Sequence, residues 1–444
     1  MIRWLFSKTV RDASALHKQV YRMLCAQRDL MTQAAFQLVS AALFDLHKAL
    51  QEGESTGKIR EKMWTCEEVA NKWLKPYPHP LWRENIEVLL VAIAVAMAIR
   101  TFFLQPFKIP TGSMQPTLYG VTVEPDYGPL WSAAMNNPSQ EQAVFQRIYQ
   151  SQTNNVIPTG WNRVKDWFRG ISYVHYVAPA DGQVVVDPLI KLFIFNIKQT
   201  ISIGGVSHTF WFPPDYGESP KMSDGSMMDP FTYRAGLVQG RYFHKGDDVV
   251  NLKVIAGDHL FVDRVSYNFH KPARGDIVVF MTKGIPEDQR DLNGIPPDEF
   301  YIKRLCGLGG ETLQLQQDYV VTGVPNAYLI FGAADGPIGH LVVNGQPLSA
   351  STPHFENLYS FDNPDPGAKT IAYHGDGYYG HAMLQRLAPG QQFQVRPGYF
   401  FVMGDDTLNS LDSRYWGDFP AESVIGKAFF VYWPFSSRFG WGNQ

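Results

Sequence analysis

The stretch Ile86-Glu-Val-Leu-Leu-Val-Ala-Ile-Ala-Val-Ala-Met-Ala-Ile-Arg-Thr-Phe-Phe-Leu104 divides this chain into a helical part and a strand-forming part. From Val88 to Ile99 it holds 12 uninterrupted apolar residues, and extension to Ile86 and Leu104 gives 19 positions with Glu87 and Arg100 near the ends. A bilayer-spanning helix needs about 20 mostly apolar residues, while a run of about 10 to 14 fits a buried helix of a soluble domain equally well. Charges at the ends can snorkel to an interface, and Phe102 and Phe103 suit the aromatic belt found there. Hydropathy alone leaves both readings open. The segment begins 85 residues into the chain, so it is not a cleavable secretory leader. Lys72, Lys75 and Arg83 precede it, which by the positive-inside tendency puts the N-terminal part in the cytosol and everything after Leu104 outside.

Upstream, apolar residues recur at helical spacing: Leu16, Val20, Met23, Leu24, Leu30 and Met31, then Leu38, Leu43, Leu46 and Leu50. Gly53 and Gly57 bracket a turn, a second helical stretch covers Lys58 to Leu74, and Pro76, Pro78 and Pro80 end it. The pattern predicts a cytosolic helical hairpin over residues 1–85. Leu30 to Phe44 carries no charge, but its 15 residues include Thr32, Gln33, Gln37 and Ser40, which is too short and too polar for a span.

Downstream the pattern changes to strands. His259–Val265, Asp276–Met281, His340–Val343 and Tyr399–Met403 are short, β-branched or aromatic, and bounded by Gly, Pro or Asp. They predict an antiparallel β domain, mainly β in class, over residues 105–118 and 255–434, with a tail at 435–444. Two stretches interrupt it, 119–254 and 322–397. Both lack a periodic helix and are too long for plain loops, so each is expected to have structure of its own.

The composition limits what such a chain does. The 444 residues carry 39 Lys+Arg against 42 Asp+Glu, a formal net charge of −3 that gives no footprint for nucleic acid. Mean hydropathy of −0.19 excludes a polytopic membrane protein. Cys25, Cys66 and Cys306 are too scattered for a disulfide framework or a four-ligand zinc site. Cys306 has no other cysteine after Leu104 to pair with and is expected to be buried and inert.

Three segments carry candidate chemistry. Pro106-Phe-Lys-Ile-Pro-Thr-Gly-Ser-Met-Gln-Pro-Thr-Leu118 follows the apolar run directly and exposes Ser113 on a tight Gly/Pro turn. A serine there is ordinarily a turn residue, and a nucleophile also needs a base. None of the 12 histidines sits in a recognisable catalytic setting, and His374 and His381 lie in a Gly/Tyr-rich loop that reads as surface. Lysine is the other candidate. In Tyr301-Ile-Lys-Arg304, two bulky residues precede Lys303, and a lysine becomes a useful base only where desolvation disfavours its charge. By itself a lysine in this setting is more often a solvated strand-end residue. The third segment, Gly404-Asp-Asp-Thr-Leu-Asn-Ser-Leu-Asp-Ser-Arg-Tyr-Trp-Gly417, is a dense polar loop between apolar strands. It reads as a turn held by an Asp412–Arg414 pair, and its acidic residues lack the regular alternation of a calcium loop.

Taken in order, the apolar run, Ile109-Pro-Thr-Gly-Ser-Met114, Gly257-Asp-His-Leu-Phe-Val262 with Arg274-Gly-Asp-Ile-Val-Val-Phe280, Tyr301-Ile-Lys-Arg304 and Gly404 to Gly417 resemble the bacterial type I signal peptidases. The resemblance implies a serine endopeptidase anchored by one transmembrane helix at 86–104. It implies Ser113 as nucleophile and Lys303 as general base. It implies an oxyanion hole formed by the Thr111 side chain and the Ser113 N–H. Ser410 would orient the lysine, and Asp412 and Arg414 would form a supporting ion pair. Ile109, Pro110, Met114, Leu118, Tyr301 and Ile302 fall where the family lines its pocket for a small substrate residue. No metal or cofactor is implied. The implied substrates are exported precursor proteins cut at small-x-small sites. The implied surroundings are lipid of the bacterial inner membrane and, by proximity, the secretion machinery, with the β domain on the periplasmic side. Where the family usually has Gly-Asp-Asn, this chain has Gly404-Asp405-Asp406, an added charge whose partner the sequence does not identify. The 119–254 insertion, of unknown role, stands where compact members have a short link. The alternatives are a related Ser-Lys peptidase dedicated to one envelope substrate, and a non-catalytic membrane-anchored scaffold.

Overall fold

The computed structural model describes residues 7–75, 80–128, 155–192, 195–218, 227–237, 240–324, 336–361, 369–375 and 377–441. Contacts divide the chain into two units, Met1–Val95 and Ala96–Gln444.

Residues 7–75 of the first unit form three α-helices where the sequence suggested a hairpin: α1 (Lys8–Gln27), α2 (Gln33–Gln51) and α3 (Thr56–Trp73). Apolar periodicity runs straight through the break between α1 and α2 because Leu30 and Met31 stay in phase with it. The interruption is made by Thr32, whose hydroxyl accepts a bond from Ala35 N at 3.3 Å and caps α2. Val20, Leu24, Val39, Leu43, Leu46 and Ile59 form the shared core. The uncharged stretch Leu30 to Phe44 is thus a bundle helix for most of its length, with Ala35, Val39 and Leu43 buried.

Helix α4 (Pro80–Phe102) carries the apolar run. Glu84–Phe102 has a mean hydropathy of 1.9 with none of it buried, and it is the one helix among the described residues long and apolar enough to cross a membrane. The helix stops at Phe102, short of the expected Leu104, because Leu104 already opens a strand.

The second unit is built on an antiparallel sheet of β1 (Leu104–Lys108), β2 (His259–Asp263), β3 (Ile277–Met281), β4 (Phe300–Gly307), β5 (Tyr399–Met403), β6 (Phe419–Pro420), β7 (Val424–Trp433) and β8 (Gly440–Trp441). Its order is β1-β2-β7-β3-β4-β5-β6, with β8 also paired to β7. Strand β3 reads Ile-Val-Val-Phe-Met, and successive side chains go to opposite faces. Ile277 and Val279 join one core with Leu260, Val262 and Ala428, while Val278 and Phe280 join another with Leu305, Val402 and Phe419. The segment expected as a tail is partly strand: Trp441 pairs with Phe430 and packs its ring on Phe429 and Phe430.

The long stretch after the serine loop folds on its own core, which includes Val184, Ile201, Phe231, Phe243 and Leu252. Thr122–Glu124 at its start pairs with Asp248–Ile255 at its end, Thr122 opposite Ile255. The two ends therefore meet at a neck, which is why a long insertion is tolerated without pulling the main sheet apart. Besides strands, its described residues include two short helices that its weak periodicity concealed, α5 (Trp161–Phe168) and Pro230–Ala235. The second interruption belongs to a six-stranded sheet that begins at Thr312, before the expected boundary at Thr322. Its residues Leu313, Leu341, Phe355 and Tyr359 share a core with Phe401 of β5.

Candidate active site

The loop leaving β1 is held at both sides. Ile109 N donates to the Asp258 carbonyl at 2.9 Å, and Asp258 N donates to the Tyr119 carbonyl at 2.8 Å. The Asp258 carboxylate accepts Tyr119 N at 2.8 Å and the Arg438 guanidinium at 2.8 and 2.9 Å. Two glycines allow the backbones to touch. A Cβ on Gly120 would lie 2.2 Å from the Thr111 carbonyl carbon, and one on Gly257 would lie 2.0 Å from the Ile109 carbonyl oxygen. Within the loop, Gln115 N closes a turn on the Gly112 carbonyl at 2.8 Å, and Met114 and Leu118 drop into the core.

That turn delivers Ser113 to Lys303. Lys303 stands on β4 opposite Val278, and its Nζ donates to Ser113 Oγ at 2.6 Å and to the Ile302 carbonyl at 3.1 Å. Both side chains are buried. Burial pushes the lysine down from its usual 10.5 to about 8, with Arg414 adding to the shift while Asp412, Asp405 and Glu218 oppose it. A hydroxyl held on an amine that gives up its proton near neutral pH is equipped to attack a carbonyl carbon.

The polar loop supports this pair from below. The Asp412 carboxylate takes Arg414 Nε at 2.8 Å and a terminal nitrogen at 2.6 Å, and also accepts Gly404 N at 3.0 Å. Burial opposes its charge, but Arg414 and the Gly404 N–H hold the Asp412 carboxyl below its ordinary value. Arg414 also donates to the Thr407 carbonyl and hydroxyl at 3.0 and 2.9 Å.

A second buried pair was not singled out by the sequence reading. Arg304, next to Lys303, grips Asp405 through Nε at 2.7 Å and a terminal nitrogen at 2.5 Å. It also donates to the carbonyls of Gly275 at 3.0 Å and His354 at 2.7 Å. Thr117 of the serine loop donates to the same Asp405 carboxylate and meets Tyr378 Oη at 3.0 Å. Strand β4, the serine loop and the polar loop are tied together at this point. The only signal available was adjacency, since Arg304 and Asp405 each lie inside a segment already quoted for other reasons.

The remaining expected residues fall out as follows. Thr111 is exposed beside Ser113. Ser410 is buried, but its Oγ makes no bond to the lysine, whose donors go to Ser113 and Ile302. It packs instead against Gly404, where a Cβ would lie 2.2 Å from Ser410 Oγ. Of the pocket residues, Pro110, Tyr301 and Ile302 are half-buried. Ile109, Met114 and Leu118 are fully buried in one hydrophobic core, with Ile302 packed against it. Asp406, the added charge, donates its backbone N–H to the Ser113 carbonyl at 3.2 Å. Cys306 is buried and its thiol is pushed up to about 12 by burial. His381 corrects the surface reading. It is buried, packed edge-on to Tyr359, and held down to about 3 by burial, because it is a strand residue of the second sheet, paired opposite Gly339.

Comparison with known proteins bears on the family of the chain. The family described as Signal peptidase, peptidase S26 matches residues 82–126 and 231–433. A signal peptidase I of Leptolyngbya laminosa is 31% identical over 45% of this chain and 71% of its own. One of Aquifex aeolicus is 31% identical over 40% of this chain and 70% of its own. A signal peptidase I structure from Enterococcus faecalis, 25% identical, matches 36% of this chain and 97% of that one with a TM-score of 0.21, too low to bear on the fold. The fold and the family match define a serine endopeptidase. The chain belongs to the signal peptidase family, peptidase S26.

Proposed function

We propose that the protein removes signal peptides from exported precursor proteins at small-x-small sites, with Ser113 as nucleophile and Lys303 as general base. The observation that carries this reading is the 2.6 Å contact between Ser113 Oγ and a buried Lys303 Nζ. Neutral Lys303 takes the proton as Oγ attacks the scissile carbonyl, and returns it to the leaving amine; such a base contributes about 10²- to 10⁴-fold. The Ser113 N–H and the Thr111 hydroxyl, both on the rim of the turn, receive the developing oxyanion. Pro110, Tyr301 and Ile302 form the walls of the subsite for the small residue before the cut.

Helix α4 is the anchor in this reading, with the three-helix unit cytosolic and the β domain at the outer face of a bacterial inner membrane. A signal peptide lies in the same bilayer, and Ser113 follows the end of α4 closely enough to meet its cleavage site where it emerges. The domain assignment is a cytosolic unit at 1–85, a catalytic domain over 105–118 and 255–434, an insertion at 119–254, and a second insertion whose sheet opens at Thr312, ahead of the 322–397 expected from sequence. The secretion machinery is a partner by proximity. The test is incubation of detergent-solubilised wild type and Ser113→Ala with a precursor carrying an Ala-x-Ala site. Cleavage at that site by the wild type alone is expected, and absence of cleavage by the wild type overturns the reading.

A further inference from the structure

Helix α5 belongs to the insertion and inverts the usual pattern of a surface helix. By helical spacing Trp161, Val164, Trp167 and Phe168 fall on one side and Asn162 and Asp166 on the other. The polar side faces the body of the insertion, where Asp166 accepts the Tyr173 hydroxyl at 2.8 Å. The apolar side is left in the open: Trp161 is 70% exposed and Trp167 60% exposed. Arg163 and Lys165 flank that arc, and Arg169 follows it; all three are exposed.

The helix is fixed in place rather than trailing from a loop. Phe435 N donates to the Phe168 carbonyl at 3.2 Å, and Ala256 N donates to the Gly170 carbonyl at 2.9 Å. Gly170 adopts a φ of +75° and lies so close that an added Cβ would be 2.9 Å from Pro434 Cβ. Through these contacts the apolar arc runs on into the main sheet. Phe168 meets Phe435 with ring centroids 6.3 Å apart, Phe435 meets Phe439 at 5.1 Å, and Phe439 meets Phe430 at 5.4 Å. Phe435 and Trp441 remain 51% and 60% exposed. The same sheet begins at β1, immediately after Phe102 and Phe103, which are exposed at the end of α4.

We infer that α5, with the Phe435–Trp441 segment, is a second membrane contact that seats the β domain on an anionic lipid surface. Exposed tryptophans and phenylalanines rimmed by basic residues fit the boundary between acyl chains and headgroups. Each flanking cation adds attraction to anionic headgroups. A protein partner would leave unexplained why the arc is continuous with the exit of the apolar helix. The inference gives the insertion a role: it supplies a lever that fixes the tilt of the catalytic sheet over the bilayer. It rests on the reading of α4 as an anchor, but is tested separately from it.

The experiment uses the full chain reconstituted into vesicles containing phosphatidylglycerol, with part of the lipid brominated near the headgroup end of its acyl chains. Emission from Trp161 and Trp167 is obtained as the difference between wild type and the Trp161→Phe/Trp167→Phe variant. We expect that difference emission to be quenched by brominated lipid, and to be quenched less in vesicles of phosphatidylcholine alone. Absence of quenching overturns the inference and leaves the patch to a protein partner. Equal quenching in both lipids overturns its anionic part. Resistance to alkaline carbonate extraction, measured on the same samples, reports on α4 alone, so its failure falls on the anchor and not on α5.

Discussion

Gly404 presses its Cα against the backbone of Ser113: a Cβ at that position would stand 2.3 Å from the Ser113 carbonyl oxygen and 2.2 Å from Ser410 Oγ. The supporting loop thus touches the turn that presents the hydroxyl, with no atom between. Gly404→Ala is expected to push the turn outward and break the Ser113–Lys303 contact. A displacement of about 1 Å at a reacting group costs about 10²-fold in rate. The check is kcat/KM on a signal-peptide substrate alongside a thermal melt: activity falls by that order while a cooperative transition remains.

The two buried ion pairs carry structure rather than chemistry. Asp412 and Arg414 are fully buried, and Arg304 and Asp405 nearly so. Removing one member leaves the other charged in a dry site, which costs about 3 to 5 kcal/mol. Asp412→Ala and Asp405→Ala are each expected to lower the urea midpoint accordingly. Asp405→Ala should also loosen the serine loop, because Thr117 loses its acceptor.

Burial of Lys303 should itself be a stability cost. Its folded value of about 8 lies below the ordinary 10.5. The penalty is therefore full below about pH 8, where both folded and unfolded states bind the proton, and fades as pH rises toward 10.5. Lys303→Met, which keeps the length and discards the charge, is expected to stabilise the inactive protein at pH 7 by up to about 3 kcal/mol. The gain should shrink at alkaline pH, as read by denaturant melts at a series of pH values.

The same shift sets the activity profile. The base must be neutral in the free enzyme, so kcat/KM should rise with pH through about 8 and then level off. Glu218, on the insertion, is among the carboxylates that favour the charged lysine. Glu218→Gln is expected to move the midpoint down. An unchanged or raised midpoint would contradict that influence.

The architecture was legible in sequence wherever periodicity or spacing is a local property. The apolar run, the change from helix to strand after it and the ordered motifs around Ser113, Lys303 and Asp412 could all be read directly. The break at Thr32 could not, because a cap is one side chain and the apolar phase continues across it. The Arg304–Asp405 pair was hidden for a related reason: its members are 101 residues apart, and only the pairing of β4 with β5 brings them together. His381 read as surface because Gly and Tyr neighbours suggest a loop, and nothing local reveals that His381–Ala382 pairs with Ile338 and Gly339 as a strand of the second sheet. The insertion's neck depends on Thr122 meeting Ile255, a contact that no composition shift announces.

The central claim is that Lys303 takes the proton of Ser113. Its most direct test is the single-turnover rate of precursor cleavage by wild type, Ser113→Ala and Lys303→Ala, each shown to be folded by the same melt. The account predicts that Ser113→Ala, which lacks the attacking oxygen, nearly abolishes cleavage, and that Lys303→Ala lowers its rate by at least the ~10²- to 10⁴-fold that a positioned base supplies. Cleavage by Lys303→Ala at the wild-type rate would contradict it.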